Sequence, residues 1–424
     1  MVVRTLEGPD GRFSDTDEVD LIELPRPLHS ASPQGDGMSV KGRVLTITVV
    51  DVGDGACTIL RPGSLLEFPS CDPNSDLTVI DCGTYLASPD HACNRLMAVL
   101  GGFFARVTTI VVTHFDADHY LGLMRLAELM ETRGQSFDAV QLIAPRPPDG
   151  AETYVRYYLA LAAYRFGVRA LDLVGALSSV SKALSYIPLF TGSHFDASDN
   201  DFTVHWPPRR LIPGLARQVQ NAMTQFDRVA LGFEQAGYPA LMRNLEYARG
   251  GWLSQDRIHS DQASGAAEWG RNEGGQRGAG GLDDISFDLP VSHDFHAIVP
   301  IESNLPGDLD RAFRRAWRAF ARANNNMSLV FEGRGPYRFI CFGDAEPPVL
   351  RWLGKSGRLA SHYDVMLAPH HGTYALPREL RVTASVCIAQ NGRLHVDRWS
   401  RHTRTHANAS RCTCTATYGT HTIL

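Results

Sequence analysis

The chain has 424 residues, a formal net charge of −5, 44% hydrophobic and 21% charged residues, the balance of an ordinary soluble globular protein with length for two or three domains. The negative balance excludes a generally basic nucleic-acid coat, though not a local basic groove. No apolar run approaches a membrane span and no basic-then-apolar leader opens the sequence, so a cytoplasmic protein without membrane contact is expected.

Only three lysines occur (Lys41, Lys182, Lys355). The positive charge is therefore almost all arginine, which suits bidentate phosphate binding; genome composition is the plainer cause. The eight cysteines include no CxxC pair, and those at 57, 341 and 387 fall in apolar segments where a free thiol packs as a small hydrophobe. Residues 1–40 are acidic and rich in Pro and Ser, a disordered tail with at most a short strand over 20–24. A strand over 44–50 then runs into Asp51-Val52-Gly53-Asp54-Gly55. A second follows over 56–60, and a third over 77–80 ends in Asp81-Cys82-Gly83-Thr84. Gly53, Gly55 and Gly83 fit tight turns or close backbone approach.

The β-branched segment 108–113 reads as a buried strand. Beyond it Leu123, Leu126, Ala127 and Met130 share a helical face, with Gly134 placed to stop the helix. Between strand and helix, His114, Asp116, Asp118 and His119 put four potential metal ligands into six residues. Imidazole and carboxylate on such a turn suit zinc, manganese or iron, and two ions explain four ligands on one turn. A capped helix start, with Asp116 or Asp118 as N-cap, is the plainer reading; it accounts for one acidic residue and not for four.

A strand over 139–144 precedes Tyr154, Tyr157, Tyr158, Leu161 and Tyr164 at helical spacing, a stripe that reads as core. After a strand over 202–206, residues 209–323 read as an insertion. It holds a helix with Leu215, Val219, Met223, Phe226 and Ala230 on one face, then a Gly-rich run over 254–281 with too little apolar content to fold. It closes with an amphipathic helix from Asp308, its N-cap, to Ala323. Arg311, Arg315 and Arg318 belong to that helix's charged stripe, a candidate track for phosphates, although a solvated face is the reading favoured. Two further apolar strands deliver carboxylate and imidazole at their tips, one ending in Gly343-Asp344 and one in Pro369-His370-His371-Gly372.

The central stretch resembles the His-x-(His/Asp)-x-Asp-His signature of the metallo-β-lactamase fold superfamily. With Asp at the second position it is similar to the branch found in the soluble domain of ComEC-type DNA-uptake proteins. Val50 to Ala56, Ile80 to Gly83, Trp206-Pro207-Pro208, Asn325 to Val330 (read as the entry to a strand), Gly343-Asp344 and Pro369 to Gly372 resemble that family's further turns, in the family's order. The resemblance covers roughly 44–206 and 324–424. It implies one ion on His114, Asp116 and a bridging Asp344, and another on Asp118, His119, Asp344 and a histidine of the 370–371 pair, His371 being favoured. It makes Asp81 a carboxylate orienting a ligand histidine, where the residue alone reads equally as holding its own turn. The chain departs from the pattern in offering no histidine after Pro208, a gap that Asn325 or Asn326 would border. His395 is the nearest match to a substrate-facing histidine, and His402 the next.

The expected architecture is an αββα sandwich with a long insertion: residues 41–208 and 324–424 forming the domain, 1–40 a tail and 209–323 the insertion. The expected function is hydrolysis of a phosphodiester, in nucleic acid or a nucleotide, with two divalent ions (Zn or Mn). Asp118 and Asp344 would hold the reacting water through the ions, and His370 or His395 would protonate the leaving oxygen. A carboxylic ester, lactone or lactam is the alternative substrate. A non-hydrolytic metal-containing sensor, using the insertion to bind a protein partner, is the alternative role. Limited proteolysis is expected to cut first within 254–281 and to leave the sandwich folded; protection of that run equal to the core's would show it to be packed.

Overall fold

The computed structural model describes residues 43–64, 76–238 with breaks at 86–87, 102 and 167–171, 241–245, and 305–423 with breaks at 335–336, 404–405 and 407–408, together with strands at 2–6 and 22–23. The Gly-rich run over 254–281 and most of the first forty residues lie outside the described residues.

The first strands in chain order are β1 (Val2–Leu6), β2 (Ile22–Glu23), β3 (Arg43–Val49), β4 (Cys57–Ser64), β5 (Leu77–Cys82), β6 (Val107–Val111), β7 (Phe137–Pro145) and β8 (Ser181–Leu189). They form one sheet, and β1 joins β3 only through β16 (Thr420–Ile423), which lies between them. The meander β3-β4-β5 is antiparallel, while β5 to β8 run parallel. Parallel neighbours need crossovers. Here they are α1 (Pro89–Leu100), α2 (Ala117–Thr132), and α3 (Glu152–Phe166) with α4 (Leu173–Ser179). The second sheet takes β9 (His194–Ala197), β10 (Asn200–Trp206), β11 (Val330–Gly333), β12 (Phe339–Cys341), β13 (His362–Leu367), β14 (Thr383–Ala389) and β15 (Ala409–Cys414) in sequence order, parallel from β12 onward.

Alternation along these strands sorts side chains into three apolar layers. Ile47, Val49, Ile80 and Val111 from the first sheet meet Val204, Phe331, Val365 and Ile388 from the second in the central layer. The outer face of the first sheet (Val79, Ile110, Leu142) packs on α1, α2 and α4. The outer face of the second is covered by α3, α5 (Pro213–Gln235), α6 (Gly307–Asn325) and α7 (Pro347–Ser356). The fold is thus an αββα sandwich of two mixed sheets, and no described helix is long and apolar enough to cross a membrane.

Helices α5 and α6, from the stretch expected to be an insertion, belong to this layering. Gln218 of α5 reaches Asn326 at the end of α6 (3.1 Å), and Gly232 near the other end of α5 faces Leu309 near the start of α6, so the two helices are antiparallel. The tyrosine stripe is core, with Tyr154 stacked on Phe320 (4.8 Å) and Tyr157 on Phe226 (4.1 Å). Two expectations need correction. Asp308 is not the N-cap: α6 begins at Gly307 after Pro306 with no side-chain cap bond, which leaves Asp308 and Asp310 in the first turn, where acidic groups favour the helix dipole. Asn325 and Asn326 do not open a strand; they end α6, and β11 starts at Val330.

The glycine turns bring the ligand loop against the first sheet. A Cβ on Gly83 would overlap the Ala117 carbonyl oxygen and the Asp118 backbone, and one on Gly55 would overlap Gly83. Ala56 N–H donates to the Asp118 carbonyl (3.0 Å) and Gly83 N–H to that of Ala56 (3.2 Å). Contact here is backbone on backbone, with no flexible side chain to yield. Gly83→Ala is expected to destabilise the fold by about 3 kcal/mol, read as a lower urea midpoint; an unchanged midpoint would show that the loop moves aside freely.

Candidate metal centre

The candidate ligands leave the C-terminal ends of strands from both sheets, where the loops of the two parallel halves face each other. On one side β6 ends at Val111, and Thr113 to His119 follow as a turn into α2, with Asp116 at its N-cap. On the other, β12 leads to Gly343-Asp344, β13 to His370-His371, and β14 through Gln390 and Asn391 to His395. Gly343 has φ 49, and a Cβ there would sit 3.0 Å from both Ser328 and Thr113, so glycine lets Asp344 approach the first sheet. His370 and His371 are also left-handed (φ 49 and 56). Such a backbone costs about 1 kcal/mol or more per non-glycine residue. It is held by His370 N–H on the Gly343 carbonyl (2.9 Å) and by Asn391 Nδ2 on the His371 carbonyl (3.3 Å).

Four groups converge. One ligand atom from each of Asp118, His119, Asp344 and His371 lies within 4.8 Å of the others, and all four residues are buried. His119 Nε2 stands 3.3 Å from Asp344, and His371 Nε2 stands 3.1 Å from Asp118 and 3.4 Å from Asp344. The outer nitrogens are fixed first. His119 Nδ1 donates to Asp81 (2.9 Å) and His371 Nδ1 to the Gln390 carbonyl (2.7 Å). These bonds set the tautomer and turn each Nε2 lone pair inward. The Nε2 atoms of His114, His119 and His371 and Oδ1 of Asp118 are buried with no hydrogen-bond partner among the described residues. Polar atoms left so are costly unless something is bound, and neutral imidazole with carboxylate is a donor set for a divalent transition ion. The residues fit a metal.

The charges tell the same story. Burial raises a carboxyl, yet the imidazoles of His371, His119 and His370 hold Asp344 well below the usual range. Burial lowers a histidine, yet Asp344 and Asp118 raise His371 to about 10. Without a cation, the buried carboxylates recruit protons onto their neighbours. His114 differs: burial and then His119 lower it to about 3, which keeps it neutral.

His114 Nε2 lies 3.9 Å from Asp344, at the edge of the cluster. Asp116 stands outside the four gathered residues. Its Oδ1 caps α2 through Ala117 N–H (2.8 Å), while burial and then Asp118 raise its carboxyl to about 7. His370 is half-buried, with Nδ1 3.9 Å from Asp344 and 3.4 Å from the Asn325 amide. His395 lies parallel to His371 (5.6 Å between ring centres), its Nδ1 buried without a hydrogen-bond partner. Asn326 faces away from the ligands and ties α6 to Gln218 and Glu346. Arg311, Arg315 and Arg318 are exposed on α6.

Sequence reasoning missed Thr113, Gln390, Asn391 and Asp54. Asp54 accepts the N–H groups of Gly392 and Leu394 (3.0 Å each) and so anchors the loop that carries His395. Its place in a glycine turn was the only signal; the others offered none.

No protein-family model matches the chain and no curated protein does. Similar solved structures include the metallo-β-lactamase fold protein YhfI from Bacillus subtilis, with 6% identity over 88% of this chain and 98% of that one and a TM-score of 0.38. BJP-1, a subclass B3 metallo-β-lactamase of Bradyrhizobium japonicum, has 18% identity over 38% and 46% of the two chains, TM-score 0.20. A long-form RNase Z from yeast has 13% identity over 41% and 22%, TM-score 0.22. These overlaps are loose and speak to no substrate; the chemistry rests on this chain's own residues.

Protein prepared in excess zinc or manganese is expected to retain metal after desalting and to lose most of it in Asp118→Ala/His119→Ala. Asp81→Ala is expected to weaken retention by about 10- to 100-fold, because His119 loses its orienting carboxylate. Metal analysis showing no bound ion in the parent protein would sink the assignment.

Proposed function

We propose that the chain is a metal-dependent hydrolase that cleaves a phosphodiester. The observation that carries the hydrolase reading is the buried convergence of Asp118, His119, Asp344 and His371, with their inward atoms lacking hydrogen-bond partners. A bound divalent ion there supplies Lewis-acid charge neutralisation and acidifies water. Asp118, His119, Asp344 and His371 would hold a first ion, and His114 with Asp344, joined by Asp116 if it gave up its cap, a weaker second.

The chain's own residues do the rest. Asp344 is the carboxylate that four imidazoles approach, His119 at 3.3 Å, His371 at 3.4 Å, and His114 and His370 at 3.9 Å, so its carboxylate accepts a hydrogen bond from the attacking water and orients it. His370 and His395 are the two half-buried histidines beside the buried cluster, placed to give a proton to the leaving oxygen. Burial and then His371 lower His395 to about 4, so it is neutral near pH 7 and gives a proton only after taking one up. The phosphodiester, rather than an ester or lactam, is supported by the ComEC-like order of the turns and by the arginines of α6.

Asp344→Asn preserves shape and removes the charge. It is expected to lower hydrolysis of bis-p-nitrophenyl phosphate by about 100-fold or more while leaving the circular-dichroism melt within a few degrees of the parent. Undiminished hydrolysis in Asp344→Asn would refute the mechanism. A metal-loaded parent inert toward both this diester and p-nitrophenyl acetate would favour the sensor.

A further inference from the structure

A cavity of about 450 Å³ opens between α5, α6 and α7. Pockets of this size take small organic ligands. Trp206, the fully buried last residue of β10, lies at its base, its Nε1 donating to the Asn326 carbonyl (2.7 Å). Leu215 and Val349 add apolar wall. Arg217, Gln218, Asn221 and Arg322 supply the polar lining. Arg217 and Asn221 are exposed, and their side chains make no ion pair or hydrogen bond among the described residues. Arg322 leans on Glu346 (3.2 Å) with two thirds of its side chain exposed.

Position ties this cavity to the chemistry. Asn326, in its lining, turns its side chain away from the ligands, but it sits one residue past Asn325, whose amide faces His370. Asn326 also bonds Glu346, which stands two residues, at most about 7 Å of chain, after Asp344. From the cavity, Arg322, Arg318, Arg315 and Arg311 run back along α6 at alternating spacings of four and three, one exposed stripe.

We propose that this cavity receives a nucleotide unit of the substrate next to the phosphodiester that is cut, with the onward phosphates following the arginine stripe of α6. The proposal rests on the phosphodiester reading above. An acyl chain would use the apolar walls but leave the amides and guanidinium groups unmatched, and a bare sugar would waste the walls. A nucleotide matches both: a flat apolar base with donors and acceptors on its edge for the Gln218 and Asn221 amides, and a phosphate for the planar guanidinium groups.

The test is fluorescence polarisation of a fluorescein-labelled oligothymidylate about twelve nucleotides long, with metal-loaded Asp344→Asn as the background so that the probe is not consumed. Arg217→Gln with Arg322→Gln is expected to weaken binding by about 10- to 100-fold and to reduce the slope of log affinity against log salt by about 1.4, two single-strand phosphate contacts. Gly214→Trp adds a second arm. Gly214 lines the cavity and has open space around its Cβ position, so the indole fills the cavity without backbone overlap and binding falls about tenfold. Should the loss of Arg322 unfold the protein through Glu346, Arg217→Gln and Gly214→Trp, both at exposed positions, decide alone. No binding by the background protein, or variants within twofold of it, overturns the cavity. Cavity-dependent binding without hydrolysis of any diester by the parent protein keeps the cavity and removes the hydrolase. Hydrolysis of bis-p-nitrophenyl phosphate with cavity-independent binding does the reverse.

Discussion

The site depends on one buried carboxylate. Asp81 accepts the Thr113 N–H (2.7 Å), the Thr113 hydroxyl (2.7 Å) and His119 Nδ1 (2.9 Å). Thr113 in turn accepts the Leu329 N–H from the second sheet (2.7 Å) at its carbonyl. A ligand histidine, the end of a core strand and the opposite sheet are therefore registered against a single side chain. Charge-assisted bonds of this kind are short and directional, and with Asp81 2% exposed water does not compete for it. The left-handed backbone of Asp81 (φ 55) falls where the β4–β5 register shifts, between Ile80 and Cys82, and the carboxylate is aimed across at Thr113 instead of along the strand.

Much of this was legible in the sequence, for local reasons. The strands β3, β5, β6, β7, β12 and β13 announce themselves as β-branched or apolar runs, and the turns at 113–119, 343–344 and 369–372 follow β6, β12 and β13. The sequence was mute where the deciding contact lay far off. Whether Asp81 held its own turn or a histidine depended on Thr113, 32 positions away. Asn326 looked like a neighbour of the ligands because Asn325 is one, yet the last turn of α6 points consecutive side chains in different directions. Asp116 sits on the same turn as Asp118 and still caps the helix, since an N-cap position and an inward-facing one differ by a rotation that spacing alone does not reveal.

Helices α5 and α6 change what the second sheet can present. A sheet covered only by α3 and α7 would leave the end of β10 open; α5 and α6 close over it and bury Trp206 completely. Because α6 ends in Asn325 beside His370, the same helix that covers the sheet also borders the ligands. Cover and border are thus joined in one helix.

The interleaving of β16 between β1 and β3 has a consequence for how the protein comes into being. Ile423 pairs with Ile47, and Asp54 waits for Gly392, 338 positions later. During synthesis the first sheet is thus made almost whole but with its neighbour missing, and its half of the ligand set faces water. Long-range closure of this kind is slow. An exposed β3 edge is a site for wrong pairing until the late strand arrives. The order of assembly would also set the order of any metal loading: an ion taken up early would meet only His114, Asp118 and His119, and would stay exchangeable until Asp344 and His371 arrived.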